Sequence, residues 1–154
     1  MKLTIRLTLI SCLVLFAACK KDRNESAALS PRGQILVAGI WQQSGGTATV
    51  NYMGKDTTID TYIQMDECDK DDFVIFVADG KVSIDENTNK CPDDQQIETA
   101  NWTLQDSDTK ILLADDNPDT YDLEISDREM KLKITKPNSS GAPVLYVDIY
   151  KNIK

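Results

Sequence analysis

From Gln34 onward the apolar residues recur with a period of two rather than 3.6, which excludes a helical bundle and calls for strands. Ile59, Thr61, Ile63 and Met65 share one face of such a segment. Phe73-Val-Ile-Phe-Val77 is a continuous apolar run, read as a strand buried on both sides or at a barrel seam. Asp79-Gly80 then stands between this run and Lys81-Val-Ser-Ile-Asp85, a strong hairpin signal. Trp102 alternates with Leu104, Tyr121 with Leu123 and Ile125, and Met130 with Leu132 and Ile134. Leu145, Val147 and Ile149 close the series. Only Gln34 to Ala38 reads as a helical turn. Short strands with short connections pair in sequence order. The expected fold is all-β: an antiparallel up-and-down barrel of about eight strands over residues 34–154. Such a barrel leaves room for side chains or for one small ligand, and closure removes free sheet edges. Phe73, Ile75, Trp102, Leu123, Leu132 and Val147 are the large side chains expected to fill it.

Residues 1–18 have a different character. Lys2 and Arg6 make a basic start, Leu7 to Phe16 an apolar stretch, and Ala17-Ala18 a small-residue cleavage site. This order reads as an export signal peptide, with an apolar stretch too short to remain as a membrane span. Cys19 follows directly. The arrangement resembles the lipobox of bacterial lipoproteins, with Phe16 where Leu or Val is usual. The resemblance implies cleavage before Cys19 and lipid, palmitate included, attached to Cys19. The alternative is a secretory signal with a chance cysteine. Two or more acyl chains, at about 0.8 kcal/mol per buried methylene, give stable anchoring, so the membrane is an expected partner. Residues 19–33 read as the lipidated cysteine and a flexible tether, polar and broken by Pro31 and Gly33. Lys20-Lys21-Asp22 resembles signals that send lipoproteins to the cell surface in Bacteroidetes. The expected location is the bacterial cell envelope, at the outer membrane and on either of its faces.

Removing residues 1–18 from the 154 leaves 136, room for one domain. Lys2 and Arg6 leave with them, so 15 basic side chains face 25 acidic ones, a balance of −10. A nucleic-acid face needs clustered Lys and Arg, and no nucleic-acid partner is expected. The chain has no His, which removes the usual general base and the common triads. No nucleophile elbow, phosphate loop or dinucleotide fingerprint is present. No enzyme and no cofactor are therefore expected. Of four cysteines, Cys12 leaves with the signal and Cys19 takes the lipid. Cys68 and Cys91 remain, an even pair in an oxidising compartment. They read as a disulfide closing a loop of about 24 residues, worth about 3 kcal/mol in the chain-entropy model. A metal site is the alternative, but two Cys without His make a poor zinc site.

Gly39-Ile-Trp41 at the first strand resembles the first hallmark of lipocalins, whose Trp packs across one end of the barrel. Further on, Cys68, Asp71, Asp72, Phe73, Asp79, Gly80, Cys91 and Trp102 stand in an order that resembles the lipocalin-like domain of Bacteroidetes lipoproteins. The resemblance runs from about Leu36 to Tyr150. It implies a lipocalin-like (calycin) barrel, a Cys68–Cys91 link and no enzyme activity. The Thr-Asp-Tyr element and late Arg of lipocalins are not recognisable.

Two acidic turns, one around Asp66 to Asp72 and one at Asp115, Asp116 and Asp119, lack the spacing of a calcium loop, and no metal is expected. Trp41, Phe73 and Trp102 are candidates either for a ligand pocket or for the core. Two functions remain. One is a monomeric, non-catalytic binding module taking a small apolar ligand. The other is a structural or protein-interaction lipoprotein, its barrel filled by side chains, presenting loops to a surface partner. The size of the interior separates them.

Overall fold

A computed structural model describes residues 28–154. The period-two segments form nine strands: β1 (Trp41–Tyr52), β2 (Lys55–Asp60), β3 (Phe73–Phe76), β4 (Lys81–Asp85), β5 (Ile97–Gln105), β6 (Lys110–Ala114), β7 (Asp119–Ile125), β8 (Glu129–Pro137) and β9 (Pro143–Asn152). All neighbours are antiparallel; from β3 to β9 they follow chain order, as short connections require, while β1 pairs with β2, β3 and β9. Strands β1 and β3 to β9 close an eight-stranded barrel, with β9 paired along the length of β1. The strand β2 is an extra one on the far half of β1. The near half of β1 meets β3 through two residue pairs, Trp41 with Val74 and Gln42 with Phe73.

Turn chemistry sets the hairpins. Gly80 has φ of +86°, a conformation glycine adopts without steric cost, and the Lys81 N–H donates to Asp79 Oδ1 at 3.0 Å. Trp102 pins this turn: its backbone N–H donates to the Gly80 carbonyl at 2.8 Å and its indole to the Val77 carbonyl at 3.0 Å. The β5–β6 turn is less comfortable. Asp106, Ser107 and Asp108 have φ of 50°, 55° and 67° with no glycine among them.

A helix, α1 (Pro31–Ala38), covers one end of the barrel. Ser30 caps it by accepting the Gly33 N–H at 3.1 Å, and Pro31 takes the first helical position, where a missing N–H costs nothing. Arg32 donates to the carbonyls of Asp108 at 2.8 Å and Leu123 at 3.4 Å. Leu36 is wholly buried, and its carbonyl accepts the Trp41 indole N–H at 3.0 Å. Gly39 is needed here, because a Cβ would approach the Trp41 ring to 2.7 Å. Leu36 and Trp41 thus belong to the main core, with Trp102, Ile111, Leu123 and Met130.

Pattern and structure part at four places. The helix starts at Pro31, so residues 31–33 are not tether but the first turn of α1. The β2 strand ends at Asp60, whose Oδ1 accepts the Ile63 N–H and opens a 3₁₀ turn at Tyr62–Gln64; Ile59 and Ile63 are exposed. The run Phe73 to Val77 is not buried on both sides: Val77 belongs to the turn and is exposed, and Phe76 rather than Phe73 is buried. Finally, β9 is turned the other way. Leu145, Val147 and Ile149 lie outside, opposite Thr135, Lys133 and Lys131, while Tyr146, Asp148 and Tyr150 share the inner face with Ile134, Leu132 and Met130. Lys131 and Lys133 stand opposite Ile149 and Val147, Leu145 is exposed, and Ile149 packs on Gly45 at the β1 bulge. Of the expected interior side chains, Trp102, Leu123 and Leu132 are buried inside, whereas Phe73, Ile75 and Val147 take the outer phase.

Candidate functional site

The barrel interior is not filled. Above the core lies a cavity of about 150 Å³. Val74 and Phe76 reach it from β3, Val82 and Ile84 from β4, Ala100 from β5, Leu113 from β6, and Met130 and Leu132 from β8. Phe76 and Met130 are almost wholly buried and form its floor on the α1 side. Glu98, Thr99 and Asp115 stand at its mouth, at the end of the barrel away from α1. Tyr150 supplies the polar group within. It faces Met130 across one strand pair and Gln43 across the other. Burial pushes its phenol well up from the usual value, and Asp148 and Tyr121 beside it push the same way. The hydroxyl has no hydrogen-bond partner among the described residues.

Other polar groups share that inner face. Burial raises the Asp148 carboxyl above the usual carboxylate range. The Tyr121 hydroxyl donates to Asp119 Oδ2 at 3.5 Å, and burial, then Asp119, raise it. Lys136 is held by that same Asp119 carboxylate. A side opening shares Val74, Ile84 and Tyr150 with the cavity and adds Gln43, Met65, Asp69 and Asp72.

Those last two belong to the loop before β3, which the Cys68–Cys91 disulfide ties to the β4–β5 loop with the Cα atoms 5.3 Å apart. Asp71 Oδ2 accepts the N–H groups of Thr88 and Asn89 at 3.3 and 3.2 Å across the same gap. Glu86 is buried and accepts the Cys91 N–H at 3.2 Å. Asp72 pays for this crowding: its pKa is raised to about 7, by burial first and then by Glu86, Asp69, Asp71 and Asp94. The groups close enough to share an ion, Cys68, Asp69 and Cys91, and Glu86, Cys91 and Asp94, each include disulfide sulfur. Such sulfur is not a thiolate ligand, so neither group makes a good metal site.

The family model of the lipocalin-like domain matches residues 37–132, more than half of the chain. The chain belongs to the lipocalin-like domain family. No curated protein matches it. In this lipocalin-like barrel Trp41 packs at the end covered by α1, as its Gly-x-Trp setting implied, and is core rather than pocket. Trp102 is core as well, with one edge on a shallow groove beside Leu29 and Gly80. Phe73 is half-buried on the outer phase and lines no part of the cavity. Cys19 lies outside the described residues.

Sequence reasoning missed Glu98 and Tyr150, and weighed Asp115 only as part of an acidic turn. Glu98 was within reach, because it continues the phase of Ala100 and Trp102 backwards along β5. Tyr150 was hidden by the apolar odd residues of β9. Only the pairing of β9 with Met130 and Leu132 shows which face is inside.

Proposed function

We propose that this protein is a non-catalytic binding module, anchored through lipid on Cys19 at the bacterial outer membrane, whose barrel holds one small apolar ligand. The cavity carries this reading. It is lined mainly by apolar side chains from five strands, has a closed floor, and carries a few polar groups, Tyr150 within and Glu98, Thr99 and Asp115 at the mouth, the usual composition of a ligand site. Its volume limits the ligand. Drug-sized pockets run from about 300 Å³ upward, and a dry cavity of about 150 Å³ takes a benzene-sized molecule. A sterol or a whole acyl chain is too large, so the ligand is a single ring or short branched chain whose remainder reaches the mouth. The same volume favours a second reading, in which the interior is mainly core and the barrel presents its loops to a surface partner. The net negative charge supports the absence of a nucleic-acid partner, and the lack of His supports a non-catalytic role. The lipobox-like segment and Lys20-Lys21-Asp22 support the envelope location and its surface-facing form.

Titration by ligand-observed NMR with toluene, indole and laurate is the test. Toluene and indole bind, laurate does not, and Ala100→Leu, which fills the cavity, abolishes binding while circular dichroism stays unchanged. No binding of either ring compound by the wild-type protein leaves the interaction reading. For the anchor, Cys19→Ser releases the protein from membranes; a variant still bound and processed at the same site contradicts it.

A further inference from the structure

We propose that residues 65–72 form a gate in the side of the barrel, which admits the ligand to the cavity when Asp72 loses its proton to solvent. This rests on the binding reading above and adds a route of entry and its control. The seam between β1 and β3 is the shortest of the barrel. It holds two residue pairs, where every other seam holds at least four. Past this seam β1 leaves β3 and runs on between β9 and β2. The wall there is completed by the loop that returns from β2, with Met65, Asp69 and Asp72 lining the side opening next to Gln43. Val74, Ile84 and Tyr150 line this opening and the cavity alike, so displacing the loop exposes the cavity from the side.

The loop is fastened mainly at one edge. The Cys68–Cys91 disulfide and the bonds of Asp71 to Thr88 and Asn89 tie it to the β4–β5 loop. Towards β1, among the described residues, one side-chain hydrogen bond holds it, from Gln42 Nε2 to the Lys70 carbonyl at 3.2 Å. It can therefore swing away from β1 and stay attached at the other edge. Asp72 is the release. Its Oδ1 is buried without a hydrogen-bond partner among the described residues, as is Asp71 Oδ1, although buried polar atoms are nearly always paired. The charged groups that face it are all anionic: Asp69 and Asp71 from its own loop, Glu86 and Asp94 from the β4–β5 loop. The strand β1 presents Gln43 and β9 presents Tyr150, both uncharged at neutral pH. Lys70 is turned to Glu67, at 2.6 Å. Burial and the four carboxylates raise the Asp72 pKa to about 7. Below that pH the neutral carboxyl stays in the wall. Above it the ionised one is repelled by its neighbours and gains water by moving outward.

Amide hydrogen exchange of the purified full chain reads the gate without any ligand. Between pH 6 and pH 8 the ionised share of Asp72 rises about tenfold. Protection factors of residues 65–72, corrected for the intrinsic pH dependence of exchange, should fall about tenfold over that range, while those of β8 and β9 hold. Asp72→Asn abolishes the fall. Asp127→Asn, at an exposed position in the β7–β8 turn, leaves it as in the wild type. Toluene, followed by ligand-observed NMR, exchanges with the cavity about tenfold faster at pH 8 than at pH 6, in step with the open population. Unchanged protection in the wild type, or an equal fall in Asp72→Asn, overturns the gate whether or not toluene binds. A fall in protection with an unchanged toluene rate overturns entry through the side and leaves the binding reading standing. If toluene binds at neither pH, the binding reading falls, and the loop's role as a ligand gate falls with it.

Discussion

Asp72 sits where burial and four neighbouring carboxylates raise its pKa to about 7, whereas an unfolded aspartate titrates near 3.9. Between those values the folded chain holds a proton that the unfolded chain has lost. Stability therefore rises as the pH falls from about 7 towards 4, and is lost as the pH rises through 7. The urea midpoint is expected to be higher at pH 5 than at pH 8, and Asp72→Asn should raise the pH 8 midpoint and shrink the difference. Asp69 and Asp148, also raised by burial, account for what remains. Equal midpoints at both pH values in the wild type would contradict the shift. A second residue-scale prediction concerns Ser107, exposed and left-handed at φ of 55°. Left-handed backbone disfavours an L-residue by about 1–2 kcal/mol, so Ser107→Gly is expected to stabilise by up to about 1 kcal/mol, read as a higher melting temperature. At this scale the sequence was legible where a residue type implies one geometry. Asp79-Gly80 is a turn and Cys68 meets Cys91. It was not legible where burial decides, because the crowding around Asp72 needs two loops brought together.

Among the elements, α1 shows how a local signal can be overlooked. Pro31 and Gly33 suggest a tether when taken as breakers, yet Ser30-Pro31 is a helix start, and Arg32 and Leu36 fix the helix to the barrel. Ser30→Ala should cost about 1 kcal/mol through the lost cap, and Leu36→Ala about 3 kcal/mol through the cavity it leaves. Denaturant unfolding measures both, and a Leu36→Ala cost under about 1 kcal/mol would show that α1 is not part of the core. The phase of β9 shows the opposite problem. Both of its faces carry large side chains, so alternation was visible but its sense was not. Strand pairing decides it, and pairing is a property of two segments.

At the scale of the whole molecule, β9 pairs along β1 and closes the sheet, while α1, β1 and β5 share one core through Leu36, Trp41 and Trp102. Such a body should unfold in one step. Indole emission and far-ultraviolet circular dichroism are expected to give coincident urea transitions, and separate midpoints would mean that the helix-covered end and the mouth melt apart. Replacing Cys68 and Cys91 by Ser should lower stability by about 3 kcal/mol while keeping the single transition. The barrel, its strand count and its closure in chain order were legible, since short alternating segments with short turns have few other solutions. The cavity was not, because its volume is what remains after every side chain has been placed.

The position of α1 also gives the molecule a direction. The described chain enters at the covered end, so with Cys19 in lipid the floor of the barrel is the part tied to the bilayer. The stretch from Cys19 to Ala28 reaches at most about 30 Å when fully extended, short enough to keep that end the nearer one. On the proposed anchoring, the mouth lies at the end of the barrel farther from the tether, and a ligand reaching it comes from the aqueous side.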